Sequence, residues 1–295
     1  MTEDAKQEKA EKQAGLSQPV CLVLDGETFR QQKDRFPHSK ELLHSLGSIR
    51  YCKGELYKDC VLGMIRVPQK SAQRTPEFTF AFLLTAESLV LIEETGNIKA
   101  CLDKQGDGAK PGKILFQLLE DFIADDIFYL AHLEKELEDL ADALTQGMPK
   151  DFFVTLTQHR QKLSEFNAYY EQLTAIGEMM QSYAGLSLPE PAEIWRSYAQ
   201  RTEHLQQHVH LLQENVIQLR ELYQAQQDAK QNRVIGVLTV VTTLFLPLSL
   251  LTSWYGMNFS HMPELTWAYG YKVVIAVAVG IVILEILFFK KKKFF

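Results

Sequence analysis

The chain has 295 residues and a formal net charge of −6. That is long enough for a sizeable soluble domain, and the polar part is too acidic for nucleic acid to be a partner. The four cysteines, Cys21, Cys52, Cys60 and Cys101, show no Cys-x-x-Cys spacing. They read as reduced, small apolar residues of a cytosolic domain rather than as a disulfide framework.

Residues 1–19, MTEDAKQEKAEKQAGLSQP, are charged and lack the apolar segment of a secretory signal. They are expected to form a disordered arm, leaving the N-terminal part in the cytosol. Residues 20–112 are expected to form a small mixed α/β domain. Val20–Asp25 (VCLVLD) suits a buried strand, and Phe36–Leu46 a short helix. Tyr51–Val67 alternates loosely enough for one or two strands, and Phe78–Glu93 reads as a hairpin around Ala86-Glu87-Ser88. Gly96–Gly112 carries Pro111 and reads as a loop. No nucleophile–base pair, phosphate loop or metal-ligand spacing stands out here, so nothing argues for an enzyme or an organic cofactor.

Residues 113–191 are expected to form acidic, antiparallel helices. Leu130, Leu133, Leu137, Leu140 and Leu144 recur at three and four, and Gly147 and Pro149 end that run. Leu156, Leu163, Phe166, Tyr170, Leu173 and Met180 continue the pattern as far as Gly185, Pro189 and Pro191. Residues 115–145 hold Glu120, Asp121, Asp125, Asp126, Glu134, Glu136, Glu138, Asp139 and Asp142 against Lys135 alone. One reading is a solvated charged face. The other is a magnesium sensor between subunits, in which carboxylates repel until ions bridge them.

In residues 192–255, Leu205, Val209, Leu212, Val216, Leu219 and Tyr223 form a sustained helix-packing seam. No Pro or Gly falls between Ala192 and Arg233, so the helix is expected to run on into the apolar stretch behind it. From 192 to 255 it would measure about 96 Å, a stalk rather than a globular element. Within it, residues 234–255 carry no ionisable carboxylate, amine or guanidinium. They would span about 33 Å, enough for the hydrocarbon core of a lipid bilayer. Residues 273–289 form a second apolar run, about 25 Å long, interrupted by Glu285. Trp254, Tyr255, Trp267, Tyr269 and Tyr271 flank the loop 256–272, as interface aromatics do. Lys230 and Arg233 precede the first span, and the basic tail 290–295 follows the second. This bias predicts both termini in the cytoplasm of a cell membrane and the loop outside.

On the first span, Ile235, Leu238, Thr239, Thr242, Leu246, Ser249 and Ser253 share one helical face. A lipid-facing helix has no need of the hydroxyls, although Ser and Thr also bond their own backbone. Pro247 removes one backbone bond and predicts a kink. Asn258 is an amide at the exit of that span, able to accept hydrogen bonds from ordered water without trapping a cation as a carboxylate would. The other reading of Asn258 is a helix C-cap.

The sequence Tyr255-Gly256-Met257-Asn258-Phe259, then Met262-Pro263-Glu264-Leu265, then the tail Lys290, Lys291, Lys292 and Lys293 resembles the CorA family of magnesium channels. The close match covers residues 232–295; upstream only the layout is similar. The resemblance implies an α+β membrane protein in which a small α/β cytosolic domain and long stalk helices precede two C-terminal transmembrane helices. It also implies a homopentamer that conducts Mg2+, with Co2+ and Ni2+ as further divalent cations, under control of intracellular Mg2+. Gly256, Met257 and Asn258 would form the selectivity filter, with Asn258 touching the ion through its water. Ile235, Leu238 and Leu246 would be the hydrophobic gate; Ile235 and Leu246 stand where the family commonly has methionines. Thr239, Thr242, Ser249 and Ser253 would supply pore hydroxyls, and Lys290–Lys293 a basic ring at the inner mouth. Glu264 remains to attract cations, but Ser260-His261 stands where the family often carries an acid. His261 keeps a related zinc-transporting branch in view. A non-conducting receptor on a coiled-coil stalk is the other alternative, with only a 17-residue outer loop to sense with.

Overall fold

The computed structural model describes residues 20–46, 51–70, 77–93, 98, 109–147, 149–187, 191–257, 262 and 267–291. The chain divides into two units, Met1–Arg220 and Glu221–Phe295.

The first unit is built on a five-stranded sheet ordered β1-β5-β4-β3-β2, with β1 Cys21–Leu24, β2 Lys53–Leu56, β3 Val61–Val67, β4 Phe78–Leu84 and β5 Leu89–Glu93. β2 to β5 form an antiparallel meander, and β1 joins β5 in parallel, with Cys21 opposite Leu89. The hairpin expected around residues 86–88 is β4–β5, closed by Thr85, whose backbone and side chain both bond Ser88. β4 and β5 are buried along almost their whole length, because helices cover both faces of the sheet. On one face α1 (Gly26–Gln31) and α2 (Ser39–Leu46) close over Leu24, Leu62, Met64, Ala81, Leu83, Val90 and Ile92 through Phe29 and Leu42. α1 carries no apolar periodicity to announce it; it starts because Asp25 caps it, accepting from the Thr28 amide at 2.6 Å. Opposite Gly63 lies the Phe82 ring, which occupies the space where a Cβ would stand.

The other face receives α3 (Pro111–Ile123), α4 (Asp126–Gln146) and α5 (Phe152–Ser187). Pro111, read as part of a loop, is instead the first residue of α3, a position where its missing N–H costs nothing. Phe122 packs edge-on against Phe78 at 5.1 Å and tilted against Phe80 at 5.7 Å. Leu130, Leu133, Leu137 and Leu144 of α4 and Leu156, Leu163, Phe166, Tyr170, Leu173 and Met180 of α5 are all buried. So are Leu205, Val209, Leu212, Val216 and Leu219 of α6 (Ala192–Tyr255), the seam read from the heptad spacing.

A buried charge locks this unit. Lys70 and Asp126 are almost wholly enclosed, and the Lys70 ammonium donates to an Asp126 carboxylate oxygen and to the Phe122 carbonyl. Tyr170 donates to the second carboxylate oxygen at 2.9 Å. Burial pushes the Asp126 carboxyl above its ordinary value, opposed by the Lys70 ammonium and the Tyr170 hydroxyl.

The second unit contains residues 221–255 of α6, which runs unbroken through Pro247, and α7 (Gly270–Lys291). α7 begins three residues before the expected span and ends two residues after it. Both helices are long and apolar enough to cross a membrane.

Candidate functional site

Along residues 234–255 of α6, burial is not uniform. Gly236, Leu244, Pro247, Leu248, Leu251 and Tyr255 are partly covered and Val240 is buried, recurring at helical spacing. Ile235, Leu238, Thr239, Thr242, Leu246, Ser249 and Ser253 are all exposed. At about 100° per residue, these two stripes are centred on opposite sides of the helix. The face singled out in the sequence is thus the one turned away from the covered stripe. Ile235, Leu238 and Leu246 are 50%, 64% and 65% exposed, which a helix in water would not tolerate without a lipid or protein neighbour.

The hydroxyls do two things at once. Thr239 donates to the Ile235 carbonyl and Thr242 to the Leu238 carbonyl, each at 2.8 Å. Their protons are therefore committed to the helix, as the alternative reading of these residues held. What each hydroxyl presents outward is an oxygen lone pair, an acceptor.

α6 ends at Tyr255. The Gly256 amide closes its last turn onto the Thr252 carbonyl at 2.9 Å, and the Met257 amide reaches the Trp254 carbonyl at 3.5 Å. Gly256 does not adopt a positive φ; Gly147 is the described glycine that does. A Cβ at Gly256 would stand 3.0 Å from the Thr252 carbonyl oxygen, so a side chain at this position requires a small shift of the last turn. Leu251, Thr252, Tyr255 and Gly256 face Trp267, Gly270, Tyr271 and Val274 across a cleft of about 440 Å³. Asn258, His261 and Glu264 lie outside the described residues, as do Lys292 and Lys293. Lys290 and Lys291 form the exposed last turn of α7. One carboxylate oxygen of Glu285 is buried with no hydrogen-bond partner among the described residues.

The acidic helices differ from the expectation of unpaired carboxylates. Asp126 is the buried partner of Lys70, and Glu120 meets Arg201 at 2.5 Å. Glu138 and Asp139 share Lys135, while Glu136 faces His132 and His159, and Glu134 faces His208. The sequence count missed these partners because four of them, Lys70, His159, Arg201 and His208, come from outside residues 115–145. Burial pushes the His159 imidazole below its ordinary value, against the pull of Glu136.

A family model described as CorA-like Mg2+ transporter protein matches residues 40–291. Over 181 residues the chain is 28% identical to the cobalt/magnesium transport protein CorA of Thermotoga maritima, covering 61% of this chain and 52% of that one. A shorter stretch of 75 residues, 25% of this chain and 23% of the relative, is 43% identical to the magnesium transport protein CorA of Wolinella succinogenes. These alignments span about half, or less, of the relatives they match. Among solved structures, the complete CorA magnesium transporter of Methanocaldococcus jannaschii superposes with a TM-score of 0.74 at 20% identity, covering 89% of this chain and 86% of that one. The cytoplasmic domain of ZntB from Vibrio parahaemolyticus gives 0.57 at 10% identity, covering 72% and 89%. Both structural likenesses concern the fold.

Proposed function

The chain belongs to the CorA-like Mg2+ transporter family, and from that premise we propose that it conducts hydrated Mg2+ across a cell membrane as a homopentamer, with both termini in the cytoplasm. The observation that carries the proposal is the face of α6 opposite its covered stripe, where exposed aliphatic side chains alternate with hydroxyls. Five such faces around an axis enclose a lumen in which Thr239 and Thr242 present acceptors.

Mg2+ holds its waters tightly and dehydrates reluctantly, so what it shows a pore is a shell of water protons. Thr239 and Thr242, their own protons committed to carbonyls, meet that shell with lone pairs. Ser249 and Ser253 continue the face toward the outer mouth. There, Gly256 ends the helix tightly, and Met257 packs beside it. Five Asn258 amides accept from the water shell and select the hydrated ion. Glu264 draws cations to the mouth. Ile235, Leu238 and Leu246 close the lumen by excluding water when the subunits are drawn together. Lys290–Lys293 oppose cation exit until they move apart. Intracellular Mg2+ favours the closed arrangement by bridging carboxylates not already held within one chain.

Magnesium uptake into liposomes reconstituted with the parent protein and with Asn258→Ala tests the assignment. Uptake by the parent and its loss in an equally assembled variant is the expected result. Normal uptake by Asn258→Ala removes Asn258 from the filter, and no divalent-cation flux through the parent removes the channel.

A further inference from the structure

His38, Asp59 and Cys60 lie together on the first unit, far in sequence from any residue assigned to the pore. Their imidazole nitrogen, carboxylate oxygen and thiol sulfur lie within 4.8 Å of one another. Asp59 and Cys60 come from the turn between β2 and β3, and His38 from the residues just before α2.

Each is held in place by something other than a metal. His38 has a φ of 53°, the one left-handed non-glycine backbone among the described residues. That conformation carries a local energetic cost and persists where surroundings enforce it. Its ring stacks on Tyr57 at 3.9 Å between centroids, and its Nε2 lies 3.9 Å from Asp59 Oδ1. The turn is fixed by the Tyr57 amide donating to the Cys60 carbonyl at 2.8 Å and by the Tyr183 hydroxyl donating to the Asp59 carbonyl at 3.2 Å. The Cys60 side chain is buried within the core cluster beneath, and Asp59 is open to solvent.

We propose that His38, Asp59 and Cys60 form a binding site for a borderline-soft divalent transition metal, of the Zn2+ or Co2+ class, separate from the Mg2+ path. The donor set decides the class. Mg2+ requires hard oxygen ligands in near-octahedral array and gains little from sulfur or imidazole. Nitrogen, sulfur and one carboxylate oxygen suit a tetrahedral Zn2+ or Co2+, with solvent in the fourth position beside exposed Asp59. Ligands on a tetrahedral zinc lie about 3.3–3.7 Å apart, given metal–ligand bonds of about 2.0–2.3 Å. The site therefore closes by about 1 Å on binding, within the reach of side-chain rotation at His38 and Asp59. Burial pushes the Cys60 thiol up to about 11, so the bound metal displaces its proton to solvent. The proposal stands whether or not the chain conducts Mg2+.

The test uses the full-length protein in detergent, stripped of metal and titrated with Co2+. A sulfur-to-cobalt charge-transfer band is expected, removed by Zn2+ and left unchanged by a large excess of Mg2+. No pore residue proposed above can produce that band, since none carries a thiol. Cys60→Ser should abolish it. Because Cys60 is buried, a second variant avoids the core: His38→Gln combined with Asp59→Asn should weaken Co2+ binding at least about 10-fold while circular dichroism shows the fold retained. Absence of the band in the parent overturns the proposal. So does its persistence in a folded Cys60→Ser, or unaltered Co2+ affinity in the double variant.

Discussion

Replacing Asp126 by alanine removes the carboxylate from between Lys70 and Tyr170 and leaves both in place. Lys70 is 3% exposed and Asp126 fully enclosed, so the freed ammonium cannot reach water without local opening. It keeps the Phe122 carbonyl as an acceptor but loses its counter-charge. The Tyr170 hydroxyl loses its acceptor as well. Breaking a buried pair from one side costs about 3–5 kcal/mol. For a soluble unit of this size each kcal/mol lowers the melting temperature by about 2–4 °C, so the expected drop is about 6–20 °C. The triple replacement Lys70→Met, Asp126→Leu, Tyr170→Phe removes all the polar groups together and should recover most of that loss. Thermal unfolding of the full-length protein in detergent gives the magnitude. Hydrogen exchange should place the loosening at the end of β3 and the start of α4. If Asp126→Ala melts within about 2 °C of the parent, Lys70 has found water or another partner, and the lock has been misassigned.

Four further outcomes follow from the same geometry. Leu238→Ser or Leu246→Ser should wet the constriction and raise resting Mg2+ flux at equal expression; unchanged or lower flux in both would argue against a hydrophobic gate. Gly256→Ala should reduce uptake, because its Cβ would crowd the Thr252 carbonyl at 3.0 Å, and full uptake would show that the last turn can shift. His159 is held below its ordinary value in the folded chain, so the unfolded chain binds more protons just below pH 6.5. Its contribution is present above that pH and lost on acidification through the folded value, so His159→Gln should flatten the decline in melting temperature there; an unchanged pH profile would sink the assignment. Millimolar Mg2+ should slow proteolysis of the first unit where Na+ at matched ionic strength does not, and equal protection by Na+ would reduce the acidic helices to a solvated, internally paired face.

Much of this architecture was legible in the chain itself. Two apolar runs free of paired charge can be satisfied only as helices in lipid, and helical spacing alone orders their faces, so the exposed stripe from Ile235 to Ser253 followed from sequence. The heptad spacing located the buried seams of α4, α5 and α6 for the same reason: periodicity is a local property. Tyr255-Gly256-Met257-Asn258-Phe259 carried the resemblance only in combination, placed after the first apolar run and followed by Met262-Pro263-Glu264-Leu265 and the lysine tail. Tertiary structure decided what depends on partners distant in sequence. α1 rests on a single capping aspartate and the sheet it covers, and no apolar period marks it. The carboxylates of α3 and α4 looked unpaired because Lys70, His159, Arg201 and His208 reach them only after folding. His38 and Cys60, 22 positions apart, share no spacing that a sequence could reveal; a turn between two strands and a left-handed residue bring them together. Charge and ligand geometry are set by distances in space, and the chain fixes those distances only once the core has closed.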